Sequence, residues 1–505
     1  MLYRSTRGDK NRISCAGAIA QGLAGDGGLF VPEEFPVLSP ETISVLAAEP
    51  YCKRAAQIMS LFMADFSMEE LERYTNAAYE VDGPGGFSDG KAAPLYDLSH
   101  STHFLELWHG PTCAFKDMAL QVMPGLLTAS LKKIGETREV CILVATSGDT
   151  GKAALEGFSD VKGTKIMVFY PRDGVSEVQK LQMTSQSGDN VNVVAVEGNF
   201  DDAQTGVKKI FSDESLCTGL NKLGYMLSSA NSINWGRLVP QVVYYISVYC
   251  DLLNSGSIKP GEKINFCVPT GNFGNILAAY YAERIGLPVN RLICASNRND
   301  VLTQFIKTGV YSKNRPFYTT VSPSMDILVS SNLERLLFEM SGRNGSAVTS
   351  YMSALLTEGS YSVPDFVCSE LDRIFHSGRC SEEDTMRTIK NVFDGHGYLI
   401  DTHTAVAYKV LNDYREETGD GSTSVVVSTA SPFKFCEAVI KALEISDKRD
   451  EAMPPTGAAL IDRLSESTNI AVPAPLNALK NAVPRFNETV AVSRMKDSVV
   501  DFIKR

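Results

Sequence analysis

Apolar and polar positions along the chain follow two rhythms that alternate. Short, nearly continuous apolar runs at residues 140–145, 165–170, 191–196, 264–268, 292–295 and 424–428 predict strands buried on both faces, since a strand covered on both sides needs no polar alternation. Residues 104–108 form a further strand pattern, broken by Gly110 and Pro111. Between these runs, apolar positions recur at helical spacing over 152–158, 201–211, 235–253 and 276–285. Strand–helix–strand alternation of this kind predicts an α/β protein with parallel sheets, helices on both faces and right-handed crossovers. Residues 300–400 are richer in polar positions and mostly helical in pattern, an insertion. The first part of the chain carries a glycine-rich stretch ending in Asp26-Gly-Gly-Leu-Phe-Val-Pro32, then helical patterns at 40–48 and 51–62. Residues 82–90 are its clearest breaker cluster, a boundary or mobile loop. The expected division is an N-terminal unit over 1–95 and two α/β lobes over 96–260 and 261–505, with lobes discontinuous in sequence.

Composition narrows the function classes. A chain of 505 residues with 44% hydrophobic and 21% charged positions can bury a large core in more than one domain. A net charge of −11 argues against nonspecific nucleic-acid binding, and an anionic small substrate would need a local positive site against that field. The eleven cysteines are scattered without a CxxC pair, the N-terminal residues lack an apolar signal core, and no apolar run reaches membrane-spanning length. These features predict a cytoplasmic protein with no membrane partner.

The candidate chemistry centres on Lys116. A helical pattern starts near Phe115 and carries Met118, Leu120, Val122 and Met123, which puts Lys116 at a helix N-terminus among apolar neighbours. The helix dipole and burial both favour a neutral, nucleophilic amine, as carbonyl-binding lysines require, while Asp117 pulls the other way. Two glycine turns, Ser147-Gly-Asp-Thr-Gly151 and Gly271-Asn-Phe-Gly-Asn275, each join a strand to a helix and offer N–H groups to an anion. Neither fits a nucleotide fingerprint. The glycines of Gly148-Asp-Thr-Gly151 are too close for a P-loop, with Ala153 where a hydroxyl is needed, and Gly271-Asn-Phe-Gly274 is not GxGxxG. His100, His103, His109 and Cys113 cluster in sequence, but across a strand and loop rather than on one helix face, so a packed or hydrogen-bonded role is favoured over a metal site. His396 and His403 have no partners by sequence, and Cys113 reads as a buried thiol.

The chain resembles the threonine synthases, pyridoxal-phosphate enzymes of the tryptophan-synthase-β-like fold (fold type II). The resemblance runs nearly end to end, through Asp26-Gly-Gly-Leu-Phe-Val-Pro32, His109-Gly-Pro-Thr-Cys-Ala-Phe-Lys116-Asp117, Ala145-Thr-Ser-Gly-Asp-Thr-Gly151, Asn231-Ser-Ile-Asn-Trp235, Pro269-Thr-Gly-Asn-Phe-Gly-Asn275, Ser322-Pro-Ser-Met-Asp-Ile327 and Ser428-Thr-Ala-Ser-Pro432. It implies two parallel-sheet lobes with an N-terminal extension, and pyridoxal 5'-phosphate held by Lys116 as a Schiff base. It further implies that Gly271, Asn272, Phe273, Gly274 and Asn275 wrap the cofactor phosphate, that Asp149 lies near the ring's phenolic oxygen, and that Thr429 bonds the pyridine nitrogen. Thr146, Ser147 and Thr150 would receive the substrate carboxylate.

The implied reaction turns O-phospho-L-homoserine and water into L-threonine and phosphate, with Lys116 as the catalytic base. The leaving phosphate needs a cation, for which Lys152, Arg172, Lys180, Arg237 and Arg298 are candidates. Where the family commonly reads Thr-Ala-His-Pro-Ala-Lys-Phe, this chain reads Thr429-Ala-Ser-Pro-Phe-Lys-Phe435, so Ser431 stands for histidine and Phe433 for alanine. Any role of that histidine is lost. A related phospholyase outcome, release of 2-oxobutyrate, is the nearest alternative, followed by a non-catalytic paralogue. Relatives range from monomer to dimer, and either state is expected here.

Overall fold

A computed structural model describes residues 1–80, 86–87, 91–444 and 457–505 of the chain. The breaker cluster at 82–90 lies outside these residues except for Gly86 and Phe87. Two parallel sheets organise the rest. The six-stranded sheet runs, edge to edge, through Phe375–Arg379, Val289–Ser296, Ile264–Pro269, Ser424–Ser428, Thr102–Glu106 and Leu95–Ser99, with only the last strand antiparallel to its neighbour. The five-stranded sheet runs through Thr489–Ala491, Val191–Glu197, Thr164–Pro171, Glu139–Ala145 and Tyr225–Ser228, all parallel. The central strands Ile264–Pro269 and Ser424–Ser428 are buried at every position, as their unbroken apolar runs require.

The helix Trp235–Asn254 is buried along nearly its whole length. It packs against Pro40–Ala47, Tyr51–Phe62, Asp117–Leu120 and Gly274–Ile285, and so joins the N-terminal helices to both candidate site segments. Arg54, itself buried, ties this junction. It donates to the Leu46 and Ala47 carbonyls at 2.8 and 3.0 Å and to Asp251 at 2.6 Å. The Trp235 ring meets those of Tyr3 and Phe62 at centroid distances of 5.1 and 6.0 Å. Among the described residues, no helix is long and apolar enough to cross a membrane.

The observed elements add detail to the pattern in three places. The helical pattern from Phe115 is broken, into a single turn Asp117–Leu120 and a helix Met123–Lys133. Pro124, in the first turn of the second helix, has no N–H to continue the first. The stretch 300–400 is mostly helical, as its pattern predicts, with short strands among the helices. It contains the hairpin Val310–Ser312 with Ser360–Ser362, and Phe375–Arg379 forms an edge of the six-stranded sheet. Two further edge strands, Tyr225–Ser228 and Thr489–Ala491, carry no long apolar run and escape the pattern.

The order of strands decides where chemistry gathers. Thr102–Glu106, Ser424–Ser428 and Ile264–Pro269 are adjacent and parallel. Their carboxyl ends lead, respectively, towards Lys116, into Thr429 and into the loop 270–275. In open parallel sheets ligands bind at such ends.

Candidate active site

Lys116 is held by its backbone against the exit of strand Ser424–Ser428. The Phe115 N–H donates to the Thr429 carbonyl at 2.8 Å, the Ser431 N–H to the Cys113 carbonyl at 3.0 Å, and Ala114 bridges Ala430. Cys113 takes a left-handed φ of 56° to make this crossing. Gly110 is needed beneath it, because an added Cβ would lie 2.5 Å from the Asp117 carboxylate. That carboxylate turns away from Lys116 and accepts the Thr112 N–H and hydroxyl, each at 2.8 Å; burial raises it to about 6.

The Lys116 side chain is half-buried, with Nζ 4.2 Å from the Phe115 ring centroid. Its pKa is lowered to about 7, first by burial and then by the charge of Arg237, against an opposing pull from Asp149. The sequence left the sign of this shift open; of the two lowering causes it named, burial is the larger one here, and Arg237 takes the place of the helix dipole. A single helical turn carries little dipole, and the opposing carboxylate is Asp149, not Asp117.

The loop after Ile264–Pro269 is built to face its amides inward. Phe273 adopts a left-handed φ of 64° and caps the helix Gly274–Ile285. Gly271 has no room for a Cβ, which would meet the Ser324 carbonyl at 2.4 Å. Loop carbonyls are tied elsewhere. Gly271 accepts the Ser330 hydroxyl at 2.9 Å, and Asn272 accepts the Asn332 N–H at 3.1 Å. The first N–H groups of the helix have no intrahelical acceptor. Asn275 Oδ1 accepts the hydroxyls of Tyr244 and Tyr245 at 2.5 and 2.7 Å, which leaves its Nδ2 buried with no partner. An orphaned buried donor beside a helix N-terminus fits a phosphate group.

Lys116, Thr429 and the whole of Gly271–Asn275 line one cavity, together with Arg237, Ser232, Ser324 and His403. Thr146, Ser147, Asp149 and Thr150 do not line it. The Thr146 hydroxyl oxygen accepts the Gly148 and Gly151 N–H groups at 3.0 and 2.9 Å, which shapes the turn. Ser147 and Thr150 are partly exposed. Asp149 is buried and sits 3.0 Å from Lys434 Nζ and 2.8 Å from Gln179 Nε2. Burial pushes the Asp149 carboxyl up, but Lys434, Gln179 and His403 outweigh it and hold the group below the usual carboxylate range.

Sequence reasoning missed Lys434, fully buried between Phe433 and Phe435, with Nζ also donating to the Thr112 carbonyl at 2.7 Å. It also left His403 without a partner. Asp401, two residues earlier, accepts from Nδ1 at 2.6 Å, and Nε2 accepts the Ser324 N–H at 3.2 Å. The signal was an aspartate N-cap opening the helix Thr402–Thr418. His103 and His109 are hydrogen-bonded to Asp97 and Glu106 at 2.6 and 2.7 Å. The Cys113 thiol is pushed up to about 12 by burial. Of the five candidate cations for a leaving phosphate, only Arg237 lines the cavity; Lys152 is paired with Glu156 at 2.6 Å and Arg172 and Arg298 are exposed.

Family profiles described as threonine synthase N terminus, pyridoxal-phosphate dependent enzyme and threonine synthase C-terminal match residues 2–79, 95–355 and 404–483. Threonine synthase from Pseudomonas aeruginosa is 42% identical over 88% of this chain and 90% of its own length. Threonine synthase-like 1 from Macaca fascicularis is 40% identical over 93% of this chain, which spans 65% of that relative's length. A pyridoxal-phosphate-bound threonine synthase from Brucella melitensis superposes with a TM-score of 0.86 at 36% identity, over 100% of both chains. The chain belongs to the threonine synthase family, within the fold type II pyridoxal-phosphate-dependent enzymes.

Proposed function

We propose that the protein converts O-phospho-L-homoserine and water into L-threonine and phosphate. The observation that carries this reading is the single cavity shared by the Lys116 amine, Thr429 and the Gly271–Asn275 loop. Bound at Lys116, pyridoxal phosphate supplies an electron sink that acidifies the Cα and then the Cβ protons of an amino acid. The remaining work falls to side chains of this protein. The loop amides and Asn275 Nδ2 would hold the cofactor phosphate. The Thr429 hydroxyl would face the ring nitrogen, and a hydroxyl cannot keep that nitrogen protonated as a carboxylate would, which would soften the sink. Lys116, about half neutral near pH 7, takes the Cα proton, gives it up before it takes a Cβ proton, and delivers that one to Cγ once phosphate has left; a proton returns to Cα as the hydroxyl of water joins Cβ. Water then adds at Cβ. The Ser147 turn takes the substrate carboxylate once substrate is present, although it stands outside the cavity lining.

The test is direct. Purified protein mixed with pyridoxal phosphate develops the visible band of a lysine-linked cofactor, and with O-phosphohomoserine it releases threonine and phosphate in equal amounts. Lys116→Ala loses both; a Lys116→Ala protein that still turned over would refute the reading. Ser431, in place of the family's histidine, favours a second outcome in which phosphate is eliminated and 2-oxobutyrate released. Ketoacid without threonine in the product mixture would replace the first reading with this one.

A further inference from the structure

A second cavity, of about 550 Å³, shares no lining residue with the Lys116 cavity. Its wall includes Trp108, Tyr398, Leu399, Phe433 and Ile470. The volume falls in the roughly 300–1,000 Å³ range of small-molecule sites. Ser431 and Phe433, the two positions that depart from the family motif, line this cavity and not the other. Serine for histidine takes a ring and a titratable group from the wall, and phenylalanine for alanine adds an aromatic face. Both changes make the wall less polar.

The lining offers nothing to a charged ligand. Among the described residues, no lysine, arginine, aspartate or glutamate lines the cavity. Its polar side chains are hydrogen-bonded within the protein. Trp108 Nε1 donates to the Ser428 hydroxyl oxygen at 3.1 Å, and the Ser431 hydroxyl oxygen accepts the Phe433 N–H at 3.4 Å. The Tyr398 hydroxyl and His109 Nε2 both meet the Glu106 carboxylate, the latter at 2.7 Å. A carboxylate or ammonium group entering here would lose its hydration and gain no ionic partner. The flat walls are held in place. The Tyr398 ring lies on that of Tyr96 with centroids 3.7 Å apart, and the Trp108 ring on that of His109 at 4.3 Å, each pair within 16° of parallel. Preformed aromatic faces favour a ligand that stacks on them.

This cavity also adjoins the frame of Lys116. The Ser431 N–H donates to the Cys113 carbonyl at 3.0 Å, and Thr429, two residues earlier, accepts the Phe115 N–H and lines the Lys116 cavity. A ligand pressing on Ser431 therefore acts on the paired segments that carry Lys116. We propose that the second cavity binds an uncharged aromatic molecule of one or two fused rings, and that its occupancy changes the affinity of Lys116 for its cofactor. The second half of the proposal rests on the reading of Lys116 as the cofactor lysine.

The probe is 2-naphthol, with 2-naphthoate as its charged counterpart. The protein has two tryptophans, so isotope-labelled tryptophan gives two indole N–H signals by nuclear magnetic resonance. Trp235 packs on Tyr3 and Phe62 and does not line the cavity. The Trp108 signal is expected to move saturably with 2-naphthol, with half-saturation at or below about 1 mM, while that of Trp235 stays in place. 2-Naphthoate binds at least about tenfold more weakly. Ala471→Phe, at the exposed rim of the cavity, fills it and abolishes the movement. With 2-naphthol bound, the affinity of apo-protein for pyridoxal phosphate, read from the visible band, changes about fivefold or more in wild type and not in Ala471→Phe.

A Trp108 signal that does not saturate, 2-naphthoate bound as well as 2-naphthol, or a cofactor affinity indifferent to bound 2-naphthol overturns the proposal. An effect on cofactor affinity that persists in Ala471→Phe puts the probe in the Lys116 cavity and overturns it too. Failure of the visible band to form without any naphthol is a failure of the functional reading instead, and the Trp108 titration still decides whether the second site exists.

Discussion

A lysine that carries a carbonyl cofactor must be neutral when it attacks, and the protein environment sets how often it is. With a pKa lowered to about 7, roughly half of the Lys116 side chains are neutral at pH 7. At the ordinary lysine value of 10.5, only ~0.03% would be, so the environment raises the reactive fraction by a factor on the order of a thousand. The perturbation is pH itself. Apo-protein is mixed with pyridoxal phosphate from about pH 5 to about pH 10, and the growth of the visible band is followed by stopped flow. The rate is expected to climb tenfold per pH unit at the acid end and to level off above about pH 7. Burial is the larger cause and Arg237 the second, so Arg237→Gln moves the break to higher pH without returning it to 10.5. The stability of the apo-protein carries the same signature. Between about pH 7 and pH 10.5 the unfolded chain binds more protons at this site than the folded one, so the Lys116 contribution to stability rises with pH across that window. A rate that kept climbing tenfold per unit past pH 9, in wild type, would refute the argument.

Two further perturbations test the frame around the lysine. Gly271→Ala forces a Cβ into the Ser324 carbonyl, 2.4 Å away, so the loop must shift; cofactor affinity, read by fluorescence titration, is expected to weaken by roughly 1–3 kcal/mol. Lys434→Met leaves Asp149 buried without its cation and is expected to cost about 3–5 kcal/mol in urea denaturation of the apo-protein. Asp149→Asn on top of it removes the stranded charge and recovers most of that loss. Equal stabilities of the single and double variants would show that the pair is not what holds the Ser147 turn.

How much of this was legible in the residues depends on the kind of signal each left. Strands buried on both faces, such as Ile264–Pro269 and Ser424–Ser428, read clearly because nothing polar interrupts them. Edge strands did not. Phe375–Arg379 has one neighbour and an exposed side, so Phe-His-Ser-Gly-Arg satisfies it without an apolar run. The glycine turns were visible as turns. The division near residue 260 also put them in different lobes, and they do leave different sheets; what only strand order reveals is that the loops after Thr102–Glu106, Ser424–Ser428 and Ile264–Pro269 share an edge.

Buried charges were the harder case, because charged residues are mostly exposed and an exposed reading is the default. Lys434 and Arg237 nevertheless left a trace. Each interrupts an apolar stretch, Phe433-Lys434-Phe435 in one case and Trp235-Gly236-Arg237-Leu238-Val239 in the other, where a solvated face would carry further polar neighbours. The two differ in what the fold provides. Lys434 finds Asp149 at 3.0 Å, and its burial is explained within the chain. Arg237 finds only a carbonyl and a tyrosine, and its burial is not. A protein that pairs one internal cation and leaves another open, beside a nearly neutral lysine and an orphaned amide, has the electrostatics of a cavity completed by an anion. The charges and the sequence motifs thus converge on one cavity.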